Sequence, residues 1–178
     1  GRLTKLRVVF LVDELNTMYT FTTLGVNKDG DNNLTRAERN LIAAKVMEGF
    51  GEYDFFTFLQ DQSGKITLDR PAATTVEIEQ GRLGLAFIIP LKTPLKLTGK
   101  SIYLQLYDPS YFTAISIDLR PSVVGGGRKC SISVVKPSET EQTRRSQVLL
   151  SQLSREETRD QENVGAIFAE TTWLKCRE

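Results

Sequence analysis

Residues 74–89 read TTVEIEQGRLGLAFII, and this stretch decides the fold class. Apolar and polar residues alternate over 74–79, and a second strand-like run follows over 83–89. The intervening Gln80-Gly81-Arg82 is short and contains a glycine, which favours a tight reversal of the chain. The pattern therefore predicts a β-hairpin of two antiparallel strands.

The same period of two recurs on both sides of this hairpin. A strand is predicted from Leu3 to Val12, and turn residues at 61–64 and 108–110 predict two further hairpins. Their flanking strands are expected at 54–59, 65–68, 101–107 and 112–118. A last alternating run begins at Cys130, after a glycine-rich loop.

Helical patterns interrupt the strands near the N-terminus. Asp13 is typical of an N-cap, and the helix that follows should end near Leu24. Thr35 predicts the cap of a second helix that ends near Gly51, and the charged stretch 138–160 predicts a surface helix. On the first helix three large apolar residues should share a face: Leu15, Met18 and Tyr19.

Together these elements predict an α+β protein: an antiparallel β-sheet or sandwich with an EF-hand-like helix–loop–helix insertion near the N-terminus and a C-terminal helix. We expect a single domain over 1–178. Its parts are the helix–loop–helix at 13–50, the antiparallel strands at 53–135, and a surface helix with a closing segment at 138–178.

Composition excludes several classes of function. The 178 residues hold 23 Lys and Arg against 22 Asp and Glu, so no basic field favours nucleic acid. There is no histidine, which excludes Ser-His-Asp and Cys-His catalysis and imidazole-based metal sites within this chain. No apolar run approaches the ~20 residues that span a bilayer. We expect neither a nucleic-acid partner nor a membrane span.

Residues 27–38 follow the twelve-residue EF-hand calcium loop. Oxygen donors fall at positions 1, 3, 5, 7, 9 and 12, with position 7 contributing its carbonyl: Asn27, Asp29, Asp31, Asn33, Thr35 and Glu38. Leu34 at position 8 is apolar, as expected for the residue that fixes the loop to the core. We therefore predict one structural calcium ion as the cofactor.

Two positions depart from the usual calcium loop. Position 1 is Asn27 instead of an aspartate, and position 6 is Asn32 instead of a glycine. Asparagine tolerates the left-handed backbone that position 6 requires. The loss of one charge predicts weak to moderate affinity, suited to extracellular calcium. The alternative interpretation is a polar loop followed by an N-capped helix, since the same residue types favour turns and caps.

The two cysteines, Cys130 and Cys176, leave two interpretations open. If their strands are neighbours, a disulfide would close a long loop and stabilise the fold. The alternative is a pair of unrelated buried thiols. Pairing cannot be inferred from spacing alone.

Nearly the whole chain resembles an uncharacterised bacterial periplasmic family that is often labelled a component of an ABC-type transport system. The similar segments follow one another in order: Phe10–Glu14, Asn27–Glu38, Glu52–Phe56, Gly81–Leu83, Pro90–Leu95, Tyr107–Phe112, Cys130, Val164–Glu170 and Cys176. The resemblance implies export, and with it a Cys130–Cys176 disulfide. It also implies an ABC transporter or metal permease as partner.

The resemblance further implies that this chain is trimmed. Similar proteins begin, after a signal peptide, with a His-Pro-His segment and a first strand, and neither is found here. The chain starts with Gly1 instead of methionine, so a missing signal peptide says nothing about export.

The sequence thus favours a periplasmic, calcium-binding accessory or interaction module, without enzymatic activity, that is associated with ABC-type metal transport. The alternative is a solute- or transition-metal-binding receptor whose site needs the missing N-terminal segment. A hydrolase would need a pair of carboxylates in a cleft. The acidic residues considered for it are more typical of solvated strand faces: Glu52, Asp54, Glu77 and Glu79.

Overall fold

The computed structural model describes residues 1–118, 120–125, 130–138, 140–150, 152 and 163–177. Its elements in chain order are β1 (Arg2–Leu11), α1 (Glu14–Leu24), α2 (Arg36–Gly51), β2 (Thr57–Asp61), β3 (Gly64–Lys65), β4 (Ala73–Glu79), β5 (Arg82–Lys96), β6 (Ser101–Leu106), β7 (Cys130–Val135), α3 (Glu141–Leu150) and β8 (Thr171–Cys176). The strands form two antiparallel sheets, which confirms the predicted α+β class. Among the described residues, no helix is both long and apolar enough to traverse a bilayer.

The chain divides into two compact units. A helical unit comprises Thr4–Glu52 and Leu68–Pro94, and a five-strand unit comprises Gly1–Leu3, Tyr53–Thr67 and Leu95–Glu178. This division leaves the expectation of a single domain as a prediction.

The helical unit is built on the hairpin that opened the sequence. Glu79 pairs with Arg82 across a two-residue turn, and the turn residues Gln80 and Gly81 have φ values of 51° and 77°. Two consecutive positive φ values match the twist of a tight hairpin, which is why a glycine is favoured there. The hairpin is therefore confirmed. The three-strand sheet has the order β1-β5-β4.

Both helices of this unit pack against one face of the sheet through a single apolar cluster. Its buried members come from the helices, the loop between them and the hairpin: Phe21, Val26, Leu34, Ile42, Val76, Leu83 and Leu85. Thr17 of α1 adds a polar contact, since its buried hydroxyl accepts a hydrogen bond from the Leu83 N–H at 3.0 Å. The predicted helix caps at Asp13 and Thr35 are also confirmed.

The predicted apolar face of α1 is real, but it points away from this core. Leu15, Met18 and Tyr19 are 70%, 61% and 68% exposed, whereas the buried residues of the helix are Thr17 and Phe21. The helix therefore presents a contiguous apolar patch to solvent.

The five-strand unit has the order β3-β2-β6-β8-β7. The Asp61–Gly64 hairpin is confirmed, and Lys100 donates a 2.7 Å hydrogen bond to the buried Asp61 carboxylate. This contact lowers the pKa of Asp61 below its ordinary value, because it stabilises the charged form. The Phe58 and Tyr107 rings stack with centroids 4.0 Å apart beside Ala169.

One predicted strand begins later than expected, and another is wrong. Residues Asp54–Phe56 form a 3-10 turn with φ values of 51°, 53° and 52°, so β2 starts only at Thr57. The segment 112–118, which the structure describes in full, contains no strand. There the Asp108 carboxylate accepts hydrogen bonds from the Ser110 hydroxyl and the Thr113 N–H, which folds the chain into a turn instead of a hairpin.

Other boundaries shift without changing the class. Strand β5 runs to Lys96, well beyond the expected end at 89, and β3 is shorter than the predicted 65–68. The surface helix is confirmed as α3, Glu141–Leu150. The rest of its predicted segment lies mostly outside the described residues, as does most of the glycine-rich loop before β7.

Candidate metal centre

The loop between α1 and α2 is anchored to the core at both ends. Gly25 ends α1 with a φ of 66°, and the Val26 N–H then donates to the Phe21 carbonyl at 3.1 Å. Val26 at one end and Leu34 at the other are 4% and 3% exposed and belong to the same apolar cluster. The anchoring role predicted for Leu34 is confirmed.

The backbone of the loop turns through three left-handed residues. Asn27, Gly30 and Asn32 have φ values of 49°, 70° and 61°. The conformation expected at position 6 is therefore present at Asn32, and asparagine supplies it without a glycine.

The side chains of the loop hold this backbone in place. The Asn27 amide oxygen accepts a hydrogen bond from the Asn32 N–H at 3.1 Å. The Asp31 carboxylate accepts from the Asn33 N–H at 2.7 Å, and the Asp29 carboxylate lies 3.5 Å from the Asp31 nitrogen. Each contact spans two to five residues, so the polar side chains turn the chain around its own backbone.

Glu38 connects the end of the loop to its start. One of its carboxylate oxygens accepts from the Asn27 N–H at 2.9 Å, eleven residues back. The other accepts from the Thr35 N–H at 2.8 Å and from the Thr35 hydroxyl at 2.7 Å. The Thr35 hydroxyl in turn accepts from the Glu38 N–H, which completes a capping box. These bonds, above all the one from the Thr35 hydroxyl, lower the pKa of Glu38.

The predicted ligand set is therefore only partly brought together. Asn27, Thr35 and Glu38 are in direct contact, while Asp29, Asp31 and Asn33 are exposed around the turn. Within the described ranges, no group of three or more Asp, Glu, His or Cys side chains is placed to hold a metal. Calcium binding stays a prediction, and the hydrogen bonds of Glu38 already close the loop.

The cysteine pair has a definite geometry. Cys130 of β7 lies directly opposite Cys176 of β8, and the two sulfur atoms are 2.06 Å apart. The disulfide implied by the family resemblance is confirmed. A disulfide fits an exported protein, because such bonds persist in oxidising compartments.

One surface was missed by the sequence analysis. Strand register places Tyr103 of β6 and Ser133 of β7 on either side of Trp173 of β8, and Ser131 opposite Lys175. We call these five residues the Trp173 face. The alternation along β8 was visible in the sequence. The neighbours of Trp173, however, lie 40 and 70 residues away, and no local sequence pattern identifies them.

Comparison with known proteins identifies the family. The family model described as "Protein of unknown function (DUF1007)" matches residues 1–176. The chain belongs to this family. A DUF1007 relationship confirms the resemblance to an uncharacterised family, while an association with ABC transport goes beyond it.

A relative from Haemophilus influenzae, described as an uncharacterized protein, is 26% identical over 146 residues. The aligned region covers 80% of this chain and 69% of that relative. No solved structure matches this chain.

Proposed function

We propose that this DUF1007 chain is a periplasmic accessory module without enzymatic activity, whose helix–loop–helix binds one structural calcium ion. The observation that carries the proposal is the form of the 27–38 loop. It combines left-handed turns at Asn27 and Asn32, a core anchor at Leu34 and a carboxylate that joins its two ends. A polar loop that only precedes an N-capped helix would need the cap, but it would not need the left-handed turns or the carboxylate that joins its two ends.

Free oxygen lone pairs support the ion. Asp29 and Asp31 each engage one carboxylate oxygen with the loop backbone, and the second oxygen of each makes no hydrogen bond within the described structure. The Glu38 oxygen that accepts only from the Asn27 N–H retains a lone pair, whereas Thr35 uses both lone pairs of the other oxygen. Calcium takes six to eight oxygens in flexible geometry, so it would add to this arrangement by gathering the two exposed aspartates.

The exposed patch on α1 supports the role of an interaction module. Three large apolar side chains on one helix face are left in water, although burial of each would be favourable by about 1.5–3 kcal/mol. Contiguous apolar patches of this kind are typical of contact surfaces. As the partner we propose an ABC transporter or a metal permease, which the family resemblance implies. The disulfide supports a periplasmic location.

The experiment is a thermal melt of the intact, disulfide-bonded chain with calcium chloride from 0 to 10 mM, with magnesium chloride as the comparison salt. At ten times the dissociation constant the ion would stabilise the fold by about 1.4 kcal/mol, a shift of about 3–6 °C. Asn27→Asp restores the charge at position 1 and should lower the calcium concentration needed for the same shift.

Asn40→Asp is the matched control, since it adds the same charge on the exposed side of α2 outside the loop. We expect it to leave the calcium dependence unchanged. An unshifted melting temperature in 10 mM calcium, for both the original chain and Asn27→Asp, would reject the ion site.

A further inference from the structure

The Trp173 face is a continuous aromatic platform. Tyr103 and Trp173 lie directly opposite each other on β6 and β8, with ring centroids 5.0 Å apart and planes inclined by 42°. Side chains that are directly opposite on antiparallel strands project from the same side of a sheet. Both residues are half-buried, so part of each side chain is exposed to solvent.

The polar ends of these two rings are available to a ligand. Neither the Trp173 Nε1–H nor the Tyr103 hydroxyl takes part in a hydrogen bond within the described structure. The described residues also contain no buried side-chain nitrogen or oxygen without a partner, so both groups reach water. Tyr and Trp with an apolar body and a free polar tip are typical of binding surfaces.

Polar groups border the platform on one side. Ser131 and Ser133 project from β7, and the Lys175 ammonium lies 5.8 Å from the centroid of the Trp173 ring. No salt bridge of Lys175 is found among the residues described. Together with Val135 and Trp173 these side chains line a concavity of about 430 Å³. That volume falls within the roughly 300–1,000 Å³ of small-molecule sites.

This combination has a specific chemical complement. A flat, partly apolar ring packs on an aromatic side chain, hydroxyls around the ring match serine hydroxyls, and an anionic substituent pairs with an ammonium that makes no salt bridge within the described structure. A pyranose sugar with a carboxylate has all three features. Single-stranded nucleic acid needs a charged groove along its backbone, and among the described residues that line the concavity Lys175 is the one cation. A peptide strand would pair with a sheet edge instead of a sheet face.

We propose that the Trp173 face binds a pyranoside that bears a carboxylate, with its ring stacked on Trp173 and its carboxylate at Lys175. The Ser131 and Ser133 hydroxyls would meet the hydroxyls of the sugar. The site lies entirely within the five-strand unit, and it is independent of the calcium loop.

Trp173 is the single tryptophan of the chain, so its fluorescence reports on this site directly. The probes are digalacturonate, a neutral digalactoside of the same size, and an eight-residue thymidine oligonucleotide. We expect digalacturonate to change the emission saturably in the millimolar range or below. The neutral disaccharide should bind about two- to fivefold more weakly, the size of an exposed charge contact.

Variants of the intact, disulfide-bonded chain assign the contacts. Trp173→Ala, followed by calorimetry because its fluorescence is lost, should weaken binding at least about tenfold. Trp173→Phe keeps an aromatic ring in case the alanine variant misfolds, and should retain most of the affinity. Lys175→Gln should abolish the preference for the acidic sugar. Lys92→Gln, an exposed lysine of the helical unit, is the control and should change nothing.

Three results would overturn the proposal. One is the absence of any emission change or heat with either disaccharide at 20 mM. Another is sugar binding that a folded Trp173→Ala variant leaves as strong as before, or a preference for the acidic sugar that Lys175→Gln leaves unchanged. The third is tighter binding of the oligonucleotide than of digalacturonate, which would assign the platform to nucleic acid.

Discussion

The 27–38 loop and the Trp173 face are built in opposite ways. The loop is made from twelve consecutive residues, and most of its hydrogen bonds join residues two to five apart. The face is made from three strands whose members are separated by up to 72 residues, and only strand register brings them together. Local chemistry is therefore sufficient for the first region, whereas the second depends on the whole five-strand sheet.

The two regions also differ in what stabilises them. Glu38 closes the loop through hydrogen bonds that compete with water, and the apolar anchors Val26 and Leu34 fix its ends. At the face, β8 is paired on both sides, to β6 and β7, and is covalently linked to β7. We thus expect perturbations of the loop to be small and local, and perturbations of the five-strand unit to be larger.

The largest effect should come from removal of the disulfide. Cys130→Ser with Cys176→Ser frees a loop closed over a sequence separation of 46 residues, which on the chain-entropy model costs about 4 kcal/mol of unfolding free energy. Urea unfolding followed by Trp173 fluorescence measures it in the sheet next to the bridge. A loss below about 1 kcal/mol would mean that the paired strands hold this edge without the covalent link.

A glycine-to-alanine exchange should change stability in opposite directions at two positions, Gly165 in the five-strand unit and Gly49 in the helical unit. At Gly165 an added Cβ would collide with the Asp108 carbonyl oxygen and press on the Tyr107 ring. We expect Gly165→Ala to destabilise the protein by about 1–3 kcal/mol. Gly49 of α2 has no atom within 4 Å of the same added carbon. Gly49→Ala should stabilise by about 0.5–1 kcal/mol, because alanine favours the helix. Equal and small effects at both positions in urea unfolding would contradict the expected difference.

How much could be predicted from the sequence follows the same division. The caps Asp13 and Thr35, the Asp61–Gly64 turn and the tight hairpin at Gln80-Gly81 each depend on a few adjacent residues, and all are confirmed. A local pattern carries the full physical cause in these cases, so it can be read without the fold.

Some of the errors arise where a distant residue contributes to the local conformation. The segment 112–118 alternates like a strand, yet in the structure the Ile117 N–H donates to the Glu170 carboxylate, 53 residues away. The apolar face of α1 was predicted correctly as a face, but the side that meets the core carries Thr17, which contacts Leu83, and Phe21, which joins the apolar cluster. At the candidate metal centre the spacing predicts the turns of the loop. It does not predict where the Asp29 and Asp31 side chains lie, because both are exposed to solvent.

Loss of the Thr35 cap should be the smaller, local counterpart of these changes. Thr35→Ala removes the hydroxyl that accepts from the Glu38 N–H and donates to its carboxylate, so we expect a loss of about 1 kcal/mol. Thr22→Ala is the matched control. Its hydroxyl only donates to the Met18 carbonyl on the exposed surface of α1, and the exchange should stay within about 0.5 kcal/mol. Similar losses in both variants would show that the capping box contributes little.

The smallest expected effect is on the pH dependence of stability, to which Glu38 of the loop and Asp61 of the five-strand unit each contribute. The pKa of Glu38 is lowered in the folded state by its bonds from Thr35 and Asn27. The stabilisation from its charge is therefore fully present above the ordinary value of 4.5, and it is lost as the pH falls through the lower folded value. Glu38→Gln, measured by unfolding between pH 6 and about 2.5, should reduce the acid loss of stability.

Asp61 supplies the comparison in the five-strand unit. Its pKa is lowered by the hydrogen bond from Lys100, so its contribution has the same sign and disappears below its ordinary value of 3.8. Asp61→Asn should remove that part of the acid dependence, but it also leaves the Lys100 ammonium without its carboxylate, and stability should fall at neutral pH as well. Glu38 lies in a loop open to water. At neutral pH, Glu38→Gln should therefore lose less stability than Asp61→Asn. A larger loss at neutral pH in Glu38→Gln than in Asp61→Asn would contradict this. It would mean that the Glu38 hydrogen bonds joining the two ends of the loop stabilise the helical unit more than their exposure to water suggests.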